Sequence, residues 1–185
     1  MNLYTISTNP KECFQALDDI ILRKTLLESG QMISTAIRVF KRDGIIEEEI
    51  PEDVLYKMYN MGEEHNVWVR ETQGNYRWTF YYLLAGLDEY QYRFDKRHDA
   101  WKIAGIANHY EKYFPEGRMT PFPRKFNKSY DNYDDLMKIE DTCLAYKKYL
   151  ITKWNNDTHC EDGRKKPIWT KREKPEFYTK SLTNT

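Results

Sequence analysis

The sequence predicts an all-α protein built as a single-domain helical bundle. Apolar residues recur at helical spacing, as in Leu22, Leu26, Ile33 and Ile37, and such spacing is typical of a helix with one buried face. The length of 185 residues suits one domain over residues 1–185. Although 31% of the residues are charged and the mean hydropathy is -0.87, the 15% aromatic content, with only 8 Gly and 7 Pro, indicates a packed core.

The N-terminal part of the chain predicts a lead-in followed by one long helix. Leu3 to Ile6 is a short strand or an extended segment, and Ser7 to Pro10 is typical of a helix cap with proline in the first turn. We expect the helix from about Lys11 to Lys41, with an apolar face and a polar seam. Arg42 to Gly44 ends it.

An acidic insertion spans residues 42–62. Most of its charge comes from Asp43, Glu47, Glu48, Glu49, Glu52 and Asp53. We expect a short helix in it from Pro51 to Met61. Such charge runs are usually solvated faces, although they also suit a contact with a partner protein.

The rest of the chain predicts three further helical regions and a tail. The second region begins near His65 and includes a helix from Gln73 to about Lys96. The third runs from Asp99 to Phe114 and the fourth from Asp131 to about Asn155. An irregular basic tail, residues 156–185, should wrap over the helices as a packing strap. A contact of this tail with nucleic-acid phosphates is the alternative.

The overall charge and the cysteines exclude several classes. The formal net charge is +0, so no global field draws the protein to nucleic acid or to an anionic membrane. Cys13, Cys143 and Cys160 are widely separated, which predicts neither a disulfide framework nor a cysteine zinc site. No window has the length and hydropathy of a membrane span or of a secretion signal. We therefore expect a cytoplasmic protein, in the host cytoplasm if it is viral.

A first polar motif lies on the predicted first helix. It consists of Asp19, Arg23, Lys24, Glu28 and Gln31. The one-turn spacing of Asp19 to Arg23 and of Lys24 to Glu28 suits surface ion pairs. The alternative places Arg23 or Lys24 on a phosphate and makes Glu28 a base or a group that orients the ligand.

A second motif combines an imidazole, a guanidinium, an amide and two indoles. Its members are His65, Trp68, Arg70, Asn75, Tyr76 and Trp78. This mixture suits a nucleobase, which needs a stacking plane, an amide or guanidinium for its edge, and cations for its phosphate. A capped helix start with indoles in the core explains the same residues.

A third motif consists of Glu89, Arg93, Lys96 and His98 near the end of the second helical region. A buried Glu beside Arg stays ionised and orients it, whereas a Glu isolated among aromatic rings is a candidate general acid or base. The sequence leaves both open. His65, His98 and His109 lack the spacing of metal ligands, so we predict no metal site. The sequence leaves the cofactor unknown.

Taken in order, the motifs resemble a family of small, mostly uncharacterised proteins of bacteriophages and prokaryotes. The resemblance is carried by LDD-x3-RK-x3-E-x2-Q, W-x-R-x4-NY-x-W, EY-x2-RF-x-K-x-H, TPFP, Tyr146-x2-Tyr149-x3-Lys153 and a basic-Pro-x-Trp close. It covers most of the chain outside the acidic insertion and implies that all the residues of the three polar motifs belong to the family pattern. Asn66 stands where the resemblance implies proline. No assigned reaction comes with the family.

These observations favour an enzyme that acts on a nucleotide or on a base in DNA. In this hypothesis Trp68 or Trp78 stacks the base, Asn75 reads its edge, and Arg23, Lys24, Arg70 and Arg93 neutralise phosphate. Glu28, Glu89, His65 or His98 supplies acid-base chemistry. The competing hypothesis is a non-catalytic protein that binds a host protein or nucleic acid, in which the polar motifs are structural ion pairs. The oligomeric state cannot be read from the sequence.

Overall fold

The described part of the chain has an all-α fold, as the apolar spacing predicts. The structure is a computed structural model that describes residues 1–159 and 166–183. In this part of the chain the α-helices are α1 (Pro10–Ala16), α2 (Asp19–Arg42), α3 (Glu64–Glu71), α4 (Gln73–Phe94), α5 (Trp101–Ala107), α6 (Tyr133–Lys138), α7 (Thr142–His159) and α8 (Glu176–Thr183). A 3₁₀ helix, Asn108–Tyr113, continues α5. Helices α2 and α4 pack against each other. Helices α3 and α5 pack against both of them, and α1 packs against α4.

The N-terminal segment is buried but is not a strand. Leu3 and Ile6 are 0% and 4% exposed, and the described residues contain no strand that could pair with them. The segment instead packs against helices, and the Tyr82 hydroxyl donates to the Leu3 carbonyl. The alternative of an extended lead-in is therefore the correct one.

The predicted first helix is two helices. It breaks at Leu17 and Asp18, because the Asp18 carboxylate accepts from the backbone N–H groups of Ile20 (3.1 Å) and Ile21 (3.5 Å) and so caps α2. The predicted fourth helix breaks for the same reason. Asp141 accepts from the N–H groups of Cys143 and Leu144 and separates α6 from α7.

The predicted helix from Pro51 to Met61 is wrong, since this stretch forms turns and irregular backbone. The Arg38 side chain of α2 donates to the carbonyls of Glu52, Leu55 and Tyr56, at 3.0, 3.1 and 2.7 Å. These carbonyls accept hydrogen bonds from an arginine side chain instead of from the backbone N–H groups of a helix.

The tail is more ordered than predicted. Residues 176–183 form α8, and Trp169 and Tyr178 are buried against Trp154 of α7, with ring centroids 5.1 and 5.0 Å from it. We call residues 166–180 the C-terminal strap. The described basic residues of the tail lie on this strap, whereas Arg164 and Lys165 lie outside the described residues.

Candidate functional site

Arg93 is the centre of a buried ion-pair network. Its side chain is 0% exposed, and every N–H group of the guanidinium has an acceptor nearby. Nε donates to Glu89 (2.8 Å), and one terminal nitrogen donates to the Leu17 carbonyl (2.7 Å) and to Asp19 (3.1 Å). The other donates to the carbonyls of Phe14 (3.3 Å) and Gln15 (3.0 Å) at the end of α1. Arg93 therefore binds the junction between α1 and α2.

The two carboxylates of this network also hold the C-terminal strap. Glu89 accepts two hydrogen bonds from Arg172, both 2.9 Å long, and Asp19 accepts from the Thr170 hydroxyl at 2.6 Å. Burial opposes ionisation of Glu89, but hydrogen bonds from Arg172 and Arg93 outweigh it and lower the pKa of Glu89. The predicted residues Asp19, Glu89 and Arg93 are thus together, in a network that already satisfies their polar atoms.

A second polar cluster surrounds Glu63, which sequence reasoning did not single out. Its carboxylate accepts from Lys125 Nζ (2.6 Å) and lies 3.2 Å from Nδ1 of the fully buried His65. Burial opposes ionisation, yet the hydrogen bonds from His65 and Lys125 lower the pKa of Glu63 to about 2. His65 Nε2 lies 3.5 Å from the Tyr146 hydroxyl. Glu28 lies near this cluster and accepts from the Asn2 backbone N–H at 2.9 Å.

The indoles of the second motif form an aromatic cluster with the Thr120–Pro123 loop. Trp68 lies edge-on to Trp78, with centroids 6.1 Å apart, and both rings contact Phe122. Trp78 Nε1 donates to the Thr8 carbonyl at 2.8 Å, whereas Trp68 Nε1 is buried and has no acceptor among the described residues. Asn75 fixes the loop, because its amide donates to the Thr120 hydroxyl (2.9 Å) and accepts from the Thr120 N–H (2.8 Å).

Several other predicted residues have structural contacts elsewhere. The buried Tyr76 hydroxyl donates to the Ala107 carbonyl, and Arg70 donates to the carbonyls of Met61 and Asn66. His98 accepts from the Ala100 N–H at 3.1 Å near the start of α5, and burial lowers its pKa. The guanidinium of the exposed Arg23 stacks 4.2 Å above the Phe94 ring.

The remaining predicted residues lie nearer the surface. Gln31 is half-buried and Lys96 is exposed. Lys24 has a side chain 69% exposed and lies 4.0 Å from Glu28, a distance at the limit for an ion pair. Lys24 is the one member of the predicted set that lines the cavity described next.

A cavity of about 370 Å³ lies between the N-terminal segment, the start of α2 and α7. We call it the tyrosine cavity, because three tyrosines line it: Tyr4, Tyr130 and Tyr149. The Tyr4 and Tyr149 rings are stacked at 6.2 Å, and Tyr130 lies 5.7 Å from Tyr149. The other polar lining residues are Asp18, Lys24, Asn127 and Lys153. Trp154 and Pro167 also line the cavity.

Asp18 is an acidic residue in the lining of this cavity, and its pKa is raised. Burial raises the pKa of Asp18, and hydrogen bonds from Trp154 Nε1 (2.9 Å) and from the N–H groups of Ile20 and Ile21 offset this only in part. Asp18 is the only carboxylate among the described lining residues, beside the two lysines Lys24 and Lys153. The cavity thus combines aromatic surface with two lysines and one carboxylate.

The predicted site residues therefore divide among several places. Glu28, Glu89, His65 and His98, the predicted acid-base residues, do not line the tyrosine cavity, and neither do Trp68, Asn75 and Trp78. Sequence reasoning missed the tyrosines of the cavity. One signal for them was present, since Tyr149 and Lys153 lie one turn apart on one helix and both occur in the Tyr146-x2-Tyr149-x3-Lys153 pattern.

The described residues show neither a metal site nor a membrane helix. No group of three or more His, Cys, Asp or Glu among them could hold a metal ion. No helix in residues 1–159 or 166–183 has the length and apolar character to cross a membrane. Comparison of the chain with protein-family models, with curated proteins and with solved structures found no match. The family resemblance therefore stays a prediction.

Proposed function

We propose that this protein binds a nucleotide in the tyrosine cavity. The observation that carries the proposal is that tyrosine rings and two lysines line one cavity of about 370 Å³. Small-molecule sites have volumes in this range and combine apolar surface with a few polar groups. A nucleobase stacks on aromatic rings, and lysine ammonium groups neutralise phosphate. Both needs of a nucleotide are met in one place.

The lining residues have distinct roles in this proposal. The base packs against Tyr130 and Tyr149, and the Asn127 amide offers a donor and an acceptor to its edge. Lys24 and Lys153 bind the phosphate. Asp18 is the only carboxylate among the described lining residues, so acid-base chemistry on the bound nucleotide would fall to it. Nucleotide metabolism or DNA base modification is the setting that this residue chemistry suits, and the resemblance to phage proteins suggests a phage as its source.

The test is calorimetric titration with nucleoside monophosphates, the matching nucleosides and inorganic phosphate. We expect one or more nucleotides to bind at least about tenfold more tightly than their nucleosides, because a charge-assisted hydrogen bond contributes roughly 1.5–3 kcal/mol. Lys24→Gln should weaken nucleotide binding by a similar factor and leave nucleoside binding unchanged. Tyr149→Leu should weaken both ligands.

Lys148→Gln is the matched control, because Lys148 is an exposed lysine on α7 that does not line the cavity. Its affinity for nucleotides should equal that of the unmodified protein. Equal losses in Lys24→Gln and Lys148→Gln would show unspecific charge attraction and overturn the proposal. Failure of every nucleotide to bind would overturn it as well, and would favour the interaction protein over the enzyme.

A further inference from the structure

A second concave surface lies away from the tyrosine cavity and shares no lining residue with it. It runs between α3 and the region from the end of α6 to the start of α7, and its volume is about 750 Å³. We call it the acidic groove. The Thr120–Pro123 loop with Phe122 lies beside Trp68 in its lining, and Val67 and Met137 contribute exposed apolar side chains, 38% and 41% exposed.

The acidic groove carries negative charge that the described residues do not neutralise. Glu64 and Glu71 of α3 and Glu140 line it, and no lysine or arginine in the described ranges forms an ion pair with any of the three. Among the described residues of the lining, Arg124 is the only cationic one. Its guanidinium donates to the Thr142 hydroxyl and to the carbonyls of Met137 and Glu140, and thus binds the break between α6 and α7.

The aromatic side of the groove is held in place by hydrogen bonds and ring contacts. Asn75 hydrogen-bonds Thr120 on both its amide oxygen and nitrogen, and the Phe122 ring lies 5.6 Å from that of Trp68. Trp68 is 4% exposed, yet its Nε1–H has no acceptor in the described structure. The nitrogen itself is buried, so Trp68 contributes its ring to the lining and not this donor.

We infer that the acidic groove is the docking site for an extended peptide segment of a partner protein, in which lysine or arginine alternates with aliphatic residues. The basic side chains pair with Glu64, Glu71 and Glu140. The aliphatic side chains pack on Val67, Phe122 and Met137. Side chains of an extended chain point to alternate sides every residue, which suits a groove lined by both acidic and apolar side chains.

The first experiment measures fluorescence anisotropy of a labelled octapeptide of alternating lysine and valine, with a glutamate and valine octapeptide as its counterpart. We expect saturable binding of the lysine peptide alone. The triple variant Glu64→Gln, Glu71→Gln, Glu140→Gln should weaken binding at least about tenfold. The matched control is Glu47→Gln, Glu49→Gln, Asp53→Asn, which removes the same charge from the exposed acidic insertion and should bind like the unmodified protein.

The second experiment tests the apolar side of the groove with Val67→Ser. Val67 is 38% exposed, so the melting temperature should stay within a few degrees. Peptide affinity should fall several-fold. Absence of lysine-peptide binding, equal losses in the two triple variants, or unchanged peptide affinity of a folded Val67→Ser variant would each overturn the docking site. Nucleotide titration of the groove variants should be unaffected, which separates this inference from the nucleotide proposal.

Discussion

Arg93 is the residue whose replacement should show most directly whether the ion-pair network is structural. Arg93→Lys keeps the charge but removes most of the donors that reach Glu89, Asp19 and the carbonyls of α1. Breaking a buried network of this kind costs about 3–5 kcal/mol. We therefore expect the free energy of unfolding, measured by urea denaturation, to fall by about that amount.

Arg77→Lys is the control for this change. Arg77 pairs with Glu111 on the surface, with a side chain 51% exposed, so we expect a loss below about 1 kcal/mol. If Arg93→Lys proved as stable as Arg77→Lys but bound nucleotides less tightly, Arg93 would be a ligand-binding residue, as the phosphate hypothesis has it, and the structural role would be wrong.

Glu63 should make the stability depend on pH in the acid range. Its pKa is about 2 in the folded protein against an ordinary value of 4.5, so its ionised form stabilises the fold above about pH 4.5, and this contribution is lost as the pH falls toward 2. The contribution at neutral pH is up to about 3 kcal/mol. Glu63→Gln should therefore be less stable than the unmodified protein at pH 7, and the difference should narrow by about 2 kcal/mol by pH 3.

The matched variant for this test is Glu64→Gln, because Glu64 is the exposed neighbour of Glu63. Urea denaturation at pH 7, 4 and 3 should give Glu64→Gln nearly the same pH profile as the unmodified protein. A constant difference between Glu63→Gln and the unmodified protein over this range would mean that Glu63 is held by its neighbours without being ionised preferentially, and would contradict the prediction.

At the residue scale, the sequence could predict pairs within a helix but not partners from distant segments. Glu89 and Arg93 lie one turn apart, and the expectation that a buried Glu beside Arg stays ionised and orients it describes this pair. The sequence could not decide between an ion-pair role and an acid-base role for Glu89, because the deciding contacts come from residues distant in the sequence. Arg93 reaches Phe14 and Leu17, and Glu89 reaches Arg172, over 76 to 83 positions, which no local spacing encodes.

At the element scale, Phe14 of α1 lies close against α4 at Gly86. A Cβ at this position would lie 2.5 Å from the Phe14 ring, which is fully buried. Alanine stabilises a helix by up to about 1 kcal/mol relative to glycine, but overpacking a core costs about 1–3 kcal/mol. Because Phe14 is fully buried, we expect Gly86→Ala to lower the free energy of unfolding.

Gly105→Ala is the matched helical control, since a Cβ there meets nothing within 4 Å. It should stabilise the protein by up to about 1 kcal/mol in the same urea denaturation. Adding Phe14→Leu to Gly86→Ala should recover part of the loss if the clash is its cause. Stabilisation by Gly86→Ala alone would show that α1 moves away from α4 at little cost.

The boundaries of the helices show what the sequence could predict of the elements. The apolar spacing identifies the helical regions, because burial of one face depends on that spacing alone. The breaks after Leu17 and at Asp141 were missed, although Asp is a strong N-cap residue, because acidic residues are equally common within the first turn of a continuing helix. The Pro51 to Met61 stretch was wrongly predicted as a helix, because the Arg38 side chain replaces the hydrogen bonds that a helix would make.

For the whole molecule, the C-terminal strap connects the end of the chain to the junction of α1 and α2. The Asp19 N–H donates to the Ile168 carbonyl (2.8 Å), and Trp169 Nε1 donates to the Ala16 carbonyl (2.9 Å). The Trp169 ring is 7% exposed and contacts Trp154, which lines the tyrosine cavity together with Pro167 of the strap. The sequence could predict a strap from its buried-type aromatics, but not which helices it joins.

Trp169→Ala should therefore detach the strap and weaken nucleotide binding together. Replacing a buried tryptophan by alanine costs about 3–5 kcal/mol, enough to raise the population of the detached strap many-fold. Trypsin cleavage after Lys171 and Arg172, followed by mass spectrometry, should become at least about tenfold faster than in the unmodified protein. Ile168→Ala is the control, because Ile168 is the adjacent residue and is 57% exposed. Fast cleavage with unchanged nucleotide affinity would show that the strap stabilises the α1 and α2 junction without forming the wall of the cavity, whereas equal cleavage of the two variants would contradict the role of Trp169 as its anchor.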